Sequence, residues 1–148
     1  MENSLHYKLR NCHTNCQKVI VQGIKHETNL KPGEPKILEY LAEHEPCEQK
    51  EIAIGCNIDS ASVTGILGRM EARKLIKRET KNGNRRSLYV SRTLEGQELT
   101  EKVEQVFKLA DSGAIEGISH EELNTFIKVL EKVNDNLLNI LKEQTKNE

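Results

Sequence analysis

Asn82-Gly83 stands between a run opened by Leu75-Ile76 and the apolar run Leu88-Tyr89-Val90, directly downstream of an amphipathic pattern. A type I′ turn needs positive φ at both central residues, so Asn-Gly is the strongest short-range hairpin signal. Upstream, Asp59 is suited to cap a helix, because its carboxylate can accept from the free N–H groups of the first turn. Val63, Ile66, Leu67 and Met70 follow at helical spacing, leaving Ser60, Ser62, Thr64, Arg69 and Arg73 on other faces. The pattern predicts a helix over 59–73, a two-stranded hairpin over 76–91, and a further helix beginning near Thr93.

The charge of this stretch narrows its use. From Ser60 to Arg92 there are nine Lys/Arg (Arg69, Arg73, Lys74, Lys77, Arg78, Lys81, Arg85, Arg86, Arg92) and two acids (Glu71, Glu79), a net of +7. The whole chain carries −1, so the rest carries −8. A solvated charged surface is the ordinary reading of a charge run. Basic residues gathered on one helix and the adjoining turn point instead to a phosphate-binding face.

The remainder reads as helices. Leu5, Leu9, Cys12, Cys16, Val19, Ile20 and Ile24 form a stripe over residues 4–26 that needs a partner helix. Pro32, Gly33 and Pro35 mark a loop. A second helix spans 35–45, with Ile37, Leu38 and Leu41 inward, and Pro46 ends it. A third spans 48–56, with Ile52, Ala53 and Cys56 on the core side. The short connection to the helix at 59 matches a helix-turn-helix, whose second helix enters the major groove. Thr93 caps a long helix to about Asp111, with Leu94, Leu99, Val103, Val106, Phe107 and Ala110 along its seam. Ser112-Gly113 and Gly117 mark a break. Ser119 to Glu122 fits a capping box, and the last helix carries Leu123, Phe126, Ile127, Leu130, Val133, Leu137, Ile140 and Leu141.

At 148 residues the chain fits one domain. With no Trp, two Phe and three Tyr, its core must be aliphatic. Long apolar seams with little to cover them imply a homodimer. No apolar run approaches the roughly 18 residues of a membrane span, and the N-terminus lacks a signal-peptide pattern. The reading is a cytoplasmic protein without membrane contact, whose four cysteines are reduced thiols.

Several residues keep a fixed spacing across helix, hairpin and next helix. Val63-Thr64, Met70-Glu71 and Leu75-Ile76 lead into Arg78, Asn84, Arg85-Arg86, Val90, Thr93 and Gly96. This stretch resembles the winged helix-turn-helix of the MarR (multiple antibiotic resistance regulator) family. The family's wing pattern R-x-x-D-x-x-D-R-R is followed by a strand and L-T-x-x-G. Lys81 and Asn84 replace the two aspartates, making the wing more basic. Arg92 replaces an apolar residue, and Arg73-Lys74 stands where glycine is common. The resemblance implies a mainly α fold with a small β-hairpin wing. Residues 30–96 would be the winged helix-turn-helix lobe, and 1–29 and 97–148 dimerisation helices that interlock two subunits. It further implies a transcriptional regulator, most often a repressor, that binds double-stranded DNA and responds to a small-molecule effector in the crevice beside the lobe. No cofactor is implied. Two recognition helices would meet pseudo-palindromic half-sites about one turn (~10 bp) apart.

Ser60, Ser62, Thr64 and Arg69 are the groove-facing candidates of the recognition helix 59–73, with Arg73 at its end. For each serine the alternative is plain helix surface. Lys81, Arg85 and Arg86 are the wing candidates, because a wing arginine is drawn into the minor groove by its negative potential. By the resemblance Arg86 is the better of the two arginines. Gln49 and Lys50, at the start of the third helix, suit backbone contacts. Gly65 and Gly68 cost about 1 kcal/mol each against alanine, which suggests close approach to DNA or to the third helix.

Cys12 and Cys16 share one face of the first helix, with His13 beside them. Three readings stand: small apolar residues in a dimer seam, a thiol switch of the kind some members of the resembled family use, and a metal site with nearby histidines. The last is weakest, because C-x-x-x-C falls short of paired C-x-x-C motifs. Cys47 and Cys56 read as structural. No Gly-rich phosphate loop, nucleophile elbow or Cys–His constellation supports an enzyme. The competing class is a protein-interaction module built on the same winged helix.

Overall fold

The computed structural model describes residues 1–81 and 83–148, without the side chains of Lys81 and residues 84–87. The turn residue Asn82 and the side chains of the wing candidates Lys81, Arg85 and Arg86 therefore lie outside the described set. The elements run α1 (Leu5–Glu27), α2 (Glu34–His44), β1 (Cys47–Glu48), α3 (Gln49–Gly55), α4 (Ser60–Ala72), β2 (Ile76–Lys81), β3 (Asn84–Arg92), α5 (Leu94–Ala114) and α6 (His120–Lys146). The protein is mainly helical with one small antiparallel sheet, the winged-helix fold expected. The chain divides into two compact units, Met1–Ala110 and Asp111–Glu148.

In the first unit the core is aliphatic, as the composition requires. Ile37, Leu38 and Leu41 of α2 meet Ile52 of α3 and Val63, Leu67 and Met70 of α4, all essentially without solvent contact. These are the residues that the 3.6-residue period picks out. Val103 and Val106 bury one side of α5, and Ile24 is the one buried residue of α1. Ile20 packs partly against the core, Leu9 is half-buried, and Leu5, Cys12, Cys16 and Val19 of the same stripe are exposed.

The sheet has a strand that the sequence pattern does not reveal. Its order is β1-β3-β2, with Cys47 opposite Val90 and Glu48 opposite Tyr89. Two residues between a proline and a helix cap carry no alternation to read. The hairpin pairs Ile76 with Arg92 and Arg78 with Val90, and its register is irregular between Thr80 and Lys81. Gly83 adopts φ +71°, as the tight turn demands.

Helix ends follow side-chain chemistry. Asp59 accepts from the Ser62 N–H at 2.8 Å and from its hydroxyl at 2.7 Å. These bonds, the backbone one foremost, hold its carboxyl below the usual range. At α3, Glu48 and Glu51 form a reciprocal capping box. Lys74 sits in the left-handed region (φ +61°) where the helix turns into β2. Thr93 donates to the Lys74 carbonyl at 2.6 Å and accepts from Gly96 N–H at 3.1 Å, fixing the start of α5 to that corner. Leu94, expected in the α5 seam, is instead 71% exposed. The inward positions of that first turn belong to Gly96 and, one turn on, Thr100.

Gly96 is required by close approach. A Cβ there would lie 2.1 Å from the Leu75 carbonyl oxygen. Gly96→Ala must push α5 off the wing corner, and overpacking of this kind costs about 1–3 kcal/mol. Thermal unfolding of the variant reads this directly. A Tm equal to that of the parent would mean that α5 backs away freely.

The second unit is dominated by α6. Ser119 caps it by accepting from Glu122 N–H at 3.0 Å. None of its residues is buried. Phe126, Ile127, Leu130, Leu137 and Leu141 are between about a third and three-fifths exposed, along one stripe. No described helix is long and apolar enough to cross a membrane.

Candidate nucleic-acid interface

The helix-turn-helix pair is held together by side chains from its outer surface. Gln49 Nε2 at the start of α3 donates to Thr64 Oγ1 of α4 at 2.6 Å, and the Thr64 hydroxyl donates to the Ser60 carbonyl at 2.9 Å. Two expected DNA contacts are thus bonded to each other and set the spacing of the two helices. Ser62 is tied to the Asp59 cap. Ser60, Lys50 and Arg69 are exposed, and Arg69 lies along α4 with its Nη1 3.3 Å from the position of a Cβ on Gly65. A Cβ on Gly68 would meet nothing within 4 Å. Neither glycine is demanded by packing against α3.

Ion pairs redistribute the charge counted along the sequence. Arg73 Nη1 reaches both carboxylate oxygens of Glu34, at 2.7 and 2.8 Å. Arg92 grips Glu45 with Nε at 3.1 Å and Nη2 at 2.9 Å, and its backbone N–H donates to the same carboxylate. Arg78 makes a bidentate pair with Glu71, at 3.1 and 3.0 Å, and Lys77 meets Glu79 at 3.3 Å. Among the described residues, Arg69 and Lys74 are the members of the basic segment outside these pairs.

Arg73, expected as a DNA contact at the end of the recognition helix, holds an ion pair and keeps 32% of its side chain exposed. Its partner Glu34 lies 39 residues away in sequence and is wholly buried, which no local spacing could reveal. Arg92 and Arg78 brace the two wing strands, one from α2's end and one from α4. Partial burial raises the Glu45 carboxyl, but the hydrogen bonds and charge of Arg92 outweigh it and leave the group below its usual value. Glu71 is lowered by its hydrogen bonds from Arg78, and Arg78 is raised in turn.

A cleft of about 380 Å³ opens between α1, the loop before α2, and α5. Ile20, Val21, Ile24, Leu30 and Phe107 supply its apolar walls. Lys25, Lys31 and Lys36 stand at its margin beside His13, and no acid lines it. The resemblance implied a crevice beside the lobe, but its lining could not be read from the sequence, because the walls come from three separated segments.

The cysteines divide into two pairs. Cys12 and Cys16 are exposed on α1, and Cys47 and Cys56 are buried in the lobe. Among the described residues there is no group of three or more His, Cys, Asp or Glu placed to hold a metal. Burial pushes the Cys47 thiol up to about 11, with Glu51, Cys56 and Glu45 adding to it, and burial likewise raises Cys56. A thiol at 11 is thiolate at about one part in a thousand at pH 8, and the thiolate is the nucleophile. Iodoacetamide at pH 8 is expected to leave Cys47 and Cys56 unmodified in the native protein and to label them on unfolding. Rapid native labelling of Cys47, read by peptide mass, would show that the lobe opens.

Residues 30–88 match the model of the MarR family. The chain is 28% identical over 122 residues to an uncharacterized HTH-type transcriptional regulator, YdgJ of Bacillus subtilis, covering 81% of this chain and 74% of the relative. Among solved structures it resembles the complex of MepR from S. aureus with DNA, with a TM-score of 0.81 and 21% identity over 90% of this chain and 98% of the other. It also resembles BpsR of Bordetella bronchiseptica, studied for regulation of its DNA binding by 6-hydroxynicotinic acid, with a TM-score of 0.80 and 22% identity over 91% and 96% of the two chains. The structural likenesses establish the fold.

Proposed function

We propose that the chain, whose residues 30–88 match the MarR family model, is a homodimeric, sequence-specific DNA-binding repressor of that family of winged helix-turn-helix transcription regulators. The observation that carries this reading is the exposed leading surface of α4, with Ser60 and Arg69 uncovered, beside a wing that holds Lys81, Arg85 and Arg86 in sequence. Ser60, Ser62, Thr64 and Arg69 face the major groove in this reading. Gln49 and Lys50 meet the backbone, Gln49 also fixing α3 against α4. Arg86 enters the minor groove, with Lys81 and Arg85 on the flanking phosphates.

The exposed apolar stripes of α1 and α6 support the dimer. Exposed apolar stripes of this kind mark interaction surfaces, and a twofold interface would cover them on both copies. The cleft is the effector site in this reading. Its apolar walls and three marginal lysines suit a small amphipathic anion. The relatives give precedent, since BpsR is described as regulated by an aromatic acid and MepR as bound to DNA. Effector binding, or oxidation at Cys12 and Cys16, would favour a dimer whose recognition helices no longer match the operator spacing.

Arg86→Ala tests the interface. It is expected to weaken duplex binding about tenfold and to flatten the slope of log K against log salt by about one per subunit. Fluorescence anisotropy across a salt series reads both quantities. An unchanged slope would remove Arg86 from the phosphate and minor-groove contacts. A protein-interaction module would bind no duplex in a salt-sensitive manner.

A further inference from the structure

The loop from Asn29 to Glu34 has two faces. On one, Leu30, Lys31, Pro32 and Gly33 wall the cleft. On the other, Gly33, Asn29 and Glu34 meet the recognition helix. Gly33 (φ +86°) presses so closely on α4 that a Cβ there would lie 2.8 Å from Ile66 Cδ1. Arg73, at the C-terminal end of α4, reaches back to this loop. Its Nη1 binds both oxygens of Glu34, and its Nη2 approaches the Asn29 carbonyl at 3.3 Å and the Asn29 side-chain oxygen at 3.4 Å. Glu34 also accepts from the Lys31 N–H at 2.5 Å. One buried carboxylate thus joins a residue of the cleft wall to the end of the recognition helix.

We propose that Arg73 is a positioning residue that locks α4 to the cleft wall through Glu34, so that filling the cleft shifts the recognition helix. A buried ion pair contributes little net stability against an apolar replacement, but breaking it is costly. The pair therefore makes the loop and the helix end move as one body. Coupling between two sites needs such an element that both sites bias. The loop is displaced by whatever widens the cleft, and Arg73 must follow Glu34 because the wholly buried Glu34 carboxylate cannot be left unpaired. The biological role of this link rests on the regulator reading above, but its test does not.

Hydrogen exchange on the full chain reads the link without DNA. Val21 lines the cleft and is 44% exposed, so Val21→Trp places an indole in the cleft as a permanent occupant. The paired variant Glu34→Gln/Arg73→Gln removes the charges and leaves two amides that can still bond. Val21→Trp is expected to change exchange at the amides from Met70 to Leu75 at least threefold in the parent, and not in the paired variant. An equal change in both backgrounds, or none in the parent, overturns the proposal. Val21→Phe serves where the indole prevents folding. A second reading uses duplex DNA. The paired variant is expected to bind its duplex at least tenfold more weakly with an unchanged salt slope. A slope reduced by about one per subunit, with tighter binding by Glu34→Gln alone, would make Arg73 a phosphate contact and overturn the proposal. If the parent binds no duplex, the regulator reading fails and the exchange experiment alone decides the link.

Discussion

Leu137→Glu is expected to leave a folded but monomeric protein that no longer binds duplex DNA. Leu137 is 45% exposed and lies on the α6 stripe with Phe126, Ile127, Leu130 and Leu141. Glutamate is a good helix former, so α6 itself survives the change. In a twofold dimer the substitution acts on both copies. Each copy loses roughly 1 kcal/mol of leucine burial, about half the full value because half the side chain is already covered. Each also brings a carboxylate to an apolar interface, at a cost of several kcal/mol less what it recovers by reaching solvent. A total on the order of 5 kcal/mol weakens dimerisation some thousandfold or more. Sedimentation velocity and circular dichroism check the two halves of the expectation. A variant that stays dimeric with parental affinity for DNA would remove α6 from the interface.

Arg73→Met is expected to lower stability by about 3 kcal/mol, near the lower end of what breaking a buried pair costs. The Glu34 side chain has no solvent contact, whereas that of Arg73 keeps 32%. The loss therefore comes chiefly from the stranded carboxylate. For a chain of this length it lowers Tm by roughly 6–12 °C. Glu71→Ala is the contrast. Its partner Arg78 is also largely covered, but the Glu71 side chain is 42% exposed, and pairs of that kind contribute at most about 1 kcal/mol. If Arg73→Met unfolds at the parental temperature, Glu34 has found another partner and the clasp is incidental.

The wing pairs add a pH dependence whose sign follows from their shifts. Glu45 and Glu71 both lie below 4.5 in the folded protein. Their stabilisation is complete above about 4.5 and is lost as the pH falls through their lowered folded values.

Periodicity revealed the elements that bury a stripe. Val63, Leu67 and Met70, or Ile37, Leu38 and Leu41, recur at helical intervals because one face meets the core, and that face is where the structure puts them. Asp59 and Ser119 marked helix starts because a cap is a local hydrogen bond. Asn-Gly marked the hairpin because few residues tolerate positive φ. Three features escaped because their partners are remote in sequence. β1 is two residues long and exists only through its pairing with Val90 and Tyr89. Glu45 and Arg92 are 47 residues apart, and Glu34 and Arg73 are 39 apart. Counting charge along the segment gave +7, with Arg73 and Arg92 among its nine basic residues. In space, Glu34 and Glu45 come in from outside the segment and neutralise those two. Among the described residues of the segment, Arg69 and Lys74 are left outside these ion pairs.

The most direct test is a salt titration of the intact protein against the duplex upstream of its own gene and against duplexes selected from a random library. The account predicts a pseudo-palindromic site bound as one dimer, with a dissociation constant of about 10⁻⁸ M or tighter near physiological salt. It also predicts a slope of log K against log salt steeper than about −4. Failure to select any duplex, or binding that ignores salt, would contradict the assignment of this winged helix to DNA.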